Sequence, residues 1–242
     1  MIPVKSLIYK IDYKLNKTAT LVHQEIQIEN KIVALNEAQL KLIKTKMDPN
    51  NTLQQGFESL KKRYEDLQVL IEPQHLHSMP LKYVDKYLNK WEGSLTTLSP
   101  KYMFYLDAYV LADKEQCLNR PLYVNKDLTK HADIATLLSN NNYKPSFEYQ
   151  EVPCTITSDK IEIYTDSTFT LKNLYVSYIR YPKKIDIEGY FDLEGEASIN
   201  QDCELPDYLE DELVNLAIME LAMITENIPS VQFTGERIKT QE

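Results

Sequence analysis

In the first third of the chain, apolar residues recur at helical spacing. Val4, Leu7, Ile8, Ile11 and Leu15 fall at i, i+3, i+4 and i+7, which predicts an amphipathic helix over residues 3–16. Residues 30–47 repeat the pattern with Ile32, Leu35, Leu42 and Ile43, and Leu40 and Met47 lie beside them. The run Asp48-Pro49-Asn50-Asn51 breaks it, because proline disfavours helical geometry in the residue before it. A third helix is expected through Phe57, Leu60, Tyr64, Leu67 and Ile71, with Lys61, Lys62, Arg63, Glu65 and Asp66 on its other faces. Three such helices with short connections predict a small antiparallel bundle over residues 1–72, closed by Pro73. Residues 73–100 are expected to connect, with a short helix over 81–92 where Leu81, Val84, Leu88 and Trp91 align.

From Lys101 the period changes to two. "KYMFYLDAYVL" alternates, "RPLYVNK" is a short run, and "KIEIYTD" sets Ile161 and Ile163 against Glu162 and Tyr164. In "LYVSYIRYP", Leu174, Val176 and Tyr178 take one face and Tyr175, Ser177 and Ile179 the other. One helix, around "HADIATLLSN", interrupts these strands. A closing helix starts near Pro206, with Asp207, Glu210 and Asp211 complementing its dipole, and ends before Pro229. The order predicts an α+β fold: an N-terminal helical bundle (1–72), the connecting segment (73–100), a central antiparallel β domain (101–200), a long C-terminal helix (201–232) packing back on the helical region, and a tail (233–242).

The closing helix is apolar on most sides: from Leu213 to Ile224 only Asn215 and Glu220 are polar. Leu209, Leu213 and Leu216 form one stripe, and Val214, Ile218 and Leu221 a second. Such a helix either lies at the centre of one well-packed chain or is covered partly by a neighbouring subunit. On the second reading one stripe packs on its own chain and the other faces a neighbour. The interface candidates are then Leu205, Pro206, Leu209, Leu213, Leu216, Ile218 and Leu221.

Composition sharpens this in two respects. Seventeen Tyr against five Gly lean towards binding surfaces and away from glycine-rich phosphate loops. The net charge of −9 is unevenly placed: eight Lys against four acids through Met47, then fourteen Asp or Glu and no Lys or Arg between Lys184 and Arg237. A chain basic at one end and acidic at the other can pair head to tail with its own copies. Cys117, Cys154 and Cys203 encode no disulfide framework and fit a reducing compartment. Neither a membrane span nor a signal peptide is expected.

Candidate chemistry is sparse. His75 and His77 lack a third ligand of clear spacing and read as a surface loop, and His23 and His131 stand alone. The acids Asp202, Glu204, Asp207, Glu210, Asp211 and Glu212 crowd one helix start, where the helix dipole accounts for three of them. Tyr9, Lys10, Tyr13 and Lys14 combine the residue types of a nucleic-acid platform, but their spacing equally suits the wet face of the first helix. No nucleotide loop, nucleophile elbow or zinc-protease helix is present. The expectation is no enzyme, no catalytic or metal-ligating residues and no cofactor.

At "IENKIVALNEAQLKLIKTKM", "GFESLKKRYEDLQVLI", "YVSYIRYPKKIDIEG" and "ELPDYLEDELVNLAIMELAMITENIPSVQ", the chain resembles structural neck proteins of crAss-like tailed bacteriophages, the rings that stack below the portal. The resemblance runs to about Gln232, and its most specific part is the Tyr-Ile-Arg-Tyr-Pro strand end, acidic linker and Leu-Pro-x-x-Leu helix. It implies a virion structural protein in a closed homo-oligomeric ring following portal symmetry. The implied partners are the portal and other neck or tail proteins, with genomic DNA passing through the channel without sequence-specific binding. It also implies assembly in the bacterial cytoplasm and no membrane partner. The alternative is a phage-encoded DNA-binding or DNA-processing protein using the basic helices or the acidic cluster.

Overall fold

Helix α1 (Val4–Thr18) buries Val4, Leu7 and Ile11, three of the five residues in the first stripe. The computed structural model describes residues 1–18, 26–47, 61–115, 117–124, 129–140, 143–190 and 197–224. Helix α2 (Ile28–Met47) buries Ile32, Leu35, Leu42 and Ile43 as its spacing requires, and adds Ala34 and Ala38, whose small side chains suit a close helix contact. Helix α3 (Lys61–Leu67) ends before Ile71, which pairs with Ile179 in a strand, and Tyr64 is exposed. The expected Phe57-to-Ile71 stripe is therefore cut short. Residues 48–60, with Phe57 and Leu60, lie outside the described residues.

The chain divides into two units, Met1–Val69 with Pro182–Glu242, and Leu70–Tyr181. In the first, the closing helix, here α5 (Glu210–Ile224), packs on α1 and α2 and is entered by a 3-10 turn over Asp207–Leu209. Its ladder with α1 runs in the same direction, from Ser6 and Glu210 to Lys14 and Asn215. Its ladder with α2 runs oppositely, from Lys46 and Glu212 to Lys41 and Glu220. Ile2 and Cys203 exchange backbone hydrogen bonds of 2.9 and 3.0 Å, tying the chain start to the segment before α5. The end expected before Pro229 lies outside the described residues.

The second unit holds ten strands among the described residues: β1 (Ile71–Glu72), β2 (Ser78–Pro80), β3 (Lys82–Asp85), β4 (Lys90–Ser94), β5 (Tyr102–Lys114), β6 (Cys117–Val124), β7 (Glu151–Val152), β8 (Cys154–Thr157), β9 (Lys160–Tyr164) and β10 (Thr170–Arg180). Six form a sheet of order β1-β10-β5-β6-β7, with β2 also on β10, and four form β3-β4-β9-β8. All pairings are antiparallel except β6 with β7. The inward residues Ala108, Val110, Ala112, Leu174, Val176 and Tyr178 share one core with Ile161 and Ile163 of the smaller sheet. A Cβ on Gly93 would sit 2.8 Å from Met79 Sδ, so the missing side chain lets β4 and β2 approach closely. Helix α4 (Ile134–Ser139), entered by a 3-10 turn, is the interruption expected near residues 131–140.

One element is corrected outright. Residues 81–92 form the β3–β4 hairpin, not a helix: in the strand register Lys82 lies opposite Glu92 and Tyr83 opposite Trp91. The spacing of Leu81, Val84, Leu88 and Trp91 mimics a helical stripe, yet Val84 and Leu88 are exposed near the tip. Asn89, at φ 47°, takes the left-handed turn conformation that asparagine tolerates. The sheet unit thus begins at Leu70, takes in the whole of the expected connecting segment and ends at Tyr181, short of the expected residue 200.

Candidate functional site

The acidic start of α5 meets the lysines of α1 and α2 inside one chain. Lys10 Nζ donates to Glu210 at 2.7 Å, and Lys14 Nζ donates to Asp211 at 3.2 Å and to Asn215 at 3.0 Å. Lys46 lies 3.0 Å from Glu212 and 3.3 Å from Asp66, and Lys41 pairs with Glu220 at 2.7 Å. The hydrogen bond to Glu210 raises the Lys10 pKa above its ordinary value. Burial alone would raise Asp211, but Lys14 and Lys10 hold its carboxyl below the usual range. Asp66 is wholly buried and meets Lys46 as an ion pair rather than through an aligned hydrogen bond. Partial desolvation and then the neighbouring Asp66 push Tyr208 up to about 12, although the residue as a whole is exposed.

These contacts correct the head-to-tail charge reading. The fold brings the two ends of the chain together, so much of the basic-to-acidic complementarity is met within one subunit. The nucleic-acid platform loses its cations for the same reason: Lys10 and Lys14 turn to α5, while Tyr9 and Tyr13 face outwards.

The interface candidates are corrected too. Leu205, Leu209, Leu213, Leu216, Ile218 and Leu221 are each no more than 7% exposed within their own chain, as is Val214. Pro206 is half-buried. Both stripes of α5 are covered, because α1 lies along one side and α2 along another. A helix apolar all round is here an internal helix.

The remaining candidates are dispersed. Asp202 accepts the Val4 N–H at 2.9 Å, placing a carboxylate at the start of α1 where the helix dipole favours it. Glu204 accepts the Lys183 N–H at 3.0 Å, and Asp207 pairs with the N-terminal amine at 2.8 Å. His77 pairs with Glu72 at 3.1 Å and packs edge-on against Tyr178, while His75 is exposed. His131 lies against Thr157 and Ile156, and His23 lies outside the described residues. Burial pushes the Cys154 thiol up to about 12 and Cys203 up to about 11, away from thiolate chemistry, and Cys117 is exposed. Among the described residues, no group of three or more His, Cys, Asp or Glu is gathered as metal ligands. No helix among them is long and apolar enough to cross a membrane.

What the surface does present is tyrosine. Ten of the seventeen are exposed: Tyr9, Tyr13, Tyr64 and Tyr208 in the first unit, and Tyr83, Tyr87, Tyr123, Tyr143, Tyr149 and Tyr181 in the second. On the outer face of the larger sheet, Tyr123, Tyr109 and Tyr175 are direct neighbours across three strands, the last two stacked at 4.7 Å. At the β3–β4 tip Tyr87 is 96% exposed, with Val84 and Leu88 beside it. This tip was hidden by its helix-like spacing. The turn residues Asp85 and Asn89 were the signal that marks it, and Asp85 does accept the Tyr87 N–H at 2.8 Å.

No protein-family model matches the chain, and no curated protein matches it.

Proposed function

We propose that this chain is a virion structural protein, one subunit of a closed ring in the neck of a tailed phage. The ring joins the capsid portal to the tail and surrounds the DNA exit channel. The observation that carries this reading is the exposure of ten tyrosines, while Lys10, Lys14, Lys41 and Lys46 are paired with carboxylates of α5 within the chain. Tyrosine is enriched in protein interfaces because it joins a large apolar ring to a polar end. The resemblance to crAss-like neck proteins supplies the kind of assembly.

In this reading the helical bundle closed by the C-terminal helix is a rigid body that takes no part in chemistry. Its apolar helix holds the subunit together, and the tyrosine-bearing surfaces make the contacts with neighbouring copies and with the portal. The alternative DNA-binding reading is weaker, since Lys10, Lys14, Lys41 and Lys46 each face a carboxylate. Quantitative mass spectrometry of purified virions tests the proposal. Many copies per particle support it, and absence of the polypeptide from virions contradicts it.

A further inference from the structure

The β3–β4 hairpin ends in exposed apolar side chains framed by unpaired cations. Tyr83, Val84, Tyr87 and Leu88 are all exposed at or near its tip. Lys82 and Lys86 are exposed and, among the described residues, neither meets a carboxylate, whereas Lys90 is turned to Glu92 and Glu162. β3 is also an edge strand of its sheet, while the opposite edge, β8, is covered where Thr129 donates to the Cys154 carbonyl at 2.9 Å.

The outer face of α2 has the complementary character. Glu29, Val33 and Glu37 recur every four residues on it and are exposed, Val33 by 50%. Neither carboxylate has a cation partner among the described residues. Lys44 marks the limit of the acidic stretch towards the helix end. The spans match. Eight residues of helix separate the two Glu by about 12 Å at 1.5 Å per residue. Four residues of strand and turn separate the two Lys by at most about 13 Å.

We infer that the β3–β4 hairpin of one copy docks on the outer face of α2 of the next, an assignment that rests on the ring reading. Lys82 and Lys86 meet Glu29 and Glu37 around an apolar centre of Val84, Tyr87 and Val33. Made head to tail rather than reciprocally, the contact is heterologous and propagates from copy to copy, closing into a ring where the rotation fits. An aromatic centre with charges at the rim is the usual anatomy of such an interface. A nucleic-acid backbone would use the lysines but leave Val84 and Leu88 without a role, which favours the protein partner.

Paired cysteines test it. Tyr87→Cys and Val33→Cys are placed together in a Cys117→Ser background, oxidised in the purified full chain and in particles that contain it, and separated without reductant. The expected result is a ladder of dimers, trimers and higher species from the double variant, and at most dimers from either single variant. Lys82→Glu with Lys86→Glu should reduce the ladder roughly tenfold, about 1.4 kcal/mol. Adding Glu29→Lys with Glu37→Lys should restore it. Melting temperatures near that of the parent show that these surface variants fold. The absence of a ladder in both the chain and the particles, or a ladder indifferent to charge reversal, overturns the inference. Multiple copies in virions without a ladder leave the ring standing and remove only this contact. Virions lacking multiple copies remove the ring reading itself.

Discussion

The Lys46 ammonium lies 3.3 Å from the wholly buried carboxylate of Asp66 and so joins the second helix to the third. The same ammonium reaches Glu212 of the closing helix at 3.0 Å. One cation therefore serves three helices, and removing it strands a buried charge. Lys46→Met should destabilise the chain by about 3–5 kcal/mol in urea unfolding. Lys46→Met combined with Asp66→Leu should recover most of that loss, because the stranded charge is gone. Equal instability of the single and double variants would show that the charge is not what matters.

Burial of both stripes of α5 makes a prediction about its leucines. Leu213→Ala should cost about 2–5 kcal/mol through lost burial and the cavity left behind. Leu213→Asp and Ile218→Asp should both abolish cooperative unfolding, since each puts a charge in the core. A folded Ile218→Asp variant defective only in assembly would restore the idea of an outward stripe.

The cap of α1 is supplied from nearly two hundred residues away. Asp202→Ala removes the acceptor of the Val4 N–H and should lower stability by about 0.5–2 kcal/mol. Asp202→Asn, which keeps an acceptor oxygen, should recover part of the loss in the same melt.

Stability should fall in acid, for a reason located on the smaller sheet. Hydrogen bonds from Lys160 and Lys90 hold Glu92 below its ordinary 4.5. Burial would raise Glu162, but Lys90, Tyr164 and Thr155 bring it below the same value. A carboxylate with a depressed folded pKa stabilises the fold above its unfolded pKa. That contribution is lost as pH falls from about 4.5 through the folded value. Melting temperature followed from pH 6 downwards, over roughly three units, should therefore drop below about 4.5. Lys90→Met should lower the melting temperature at about pH 6 and shrink that drop, because the folded values of Glu92 and Glu162 move back towards 4.5. An unchanged acid limb would place the sensitivity elsewhere.

Legibility in the sequence followed the physics of each segment. The helices α1 and α2 and the alternating strands β5, β9 and β10 carry long periodic patterns, and each was placed from them. The mixed α and β character followed from the same patterns. Residues 81–92 misled because a short hairpin with four apolar residues can imitate a helical stripe, and the turn residues Asp85 and Asn89 carry the contrary signal. The tyrosine count pointed to surfaces, but which rings face out depends on packing that a one-dimensional pattern does not carry. The unequal charge at the two ends was plain in the sequence. That it is met within one chain follows from helices 166 to 204 residues apart becoming neighbours, which spacing alone does not encode.

The claim that this chain is a neck ring subunit is tested most directly by electron cryomicroscopy of the virion whose genome encodes it. The account predicts a closed ring of repeated density between portal and tail into which both units, Met1–Val69 with Pro182–Glu242 and Leu70–Tyr181, fit in every repeat. A neck whose density admits neither unit, with the polypeptide absent from the particle or present only as symmetric dimers, would contradict it.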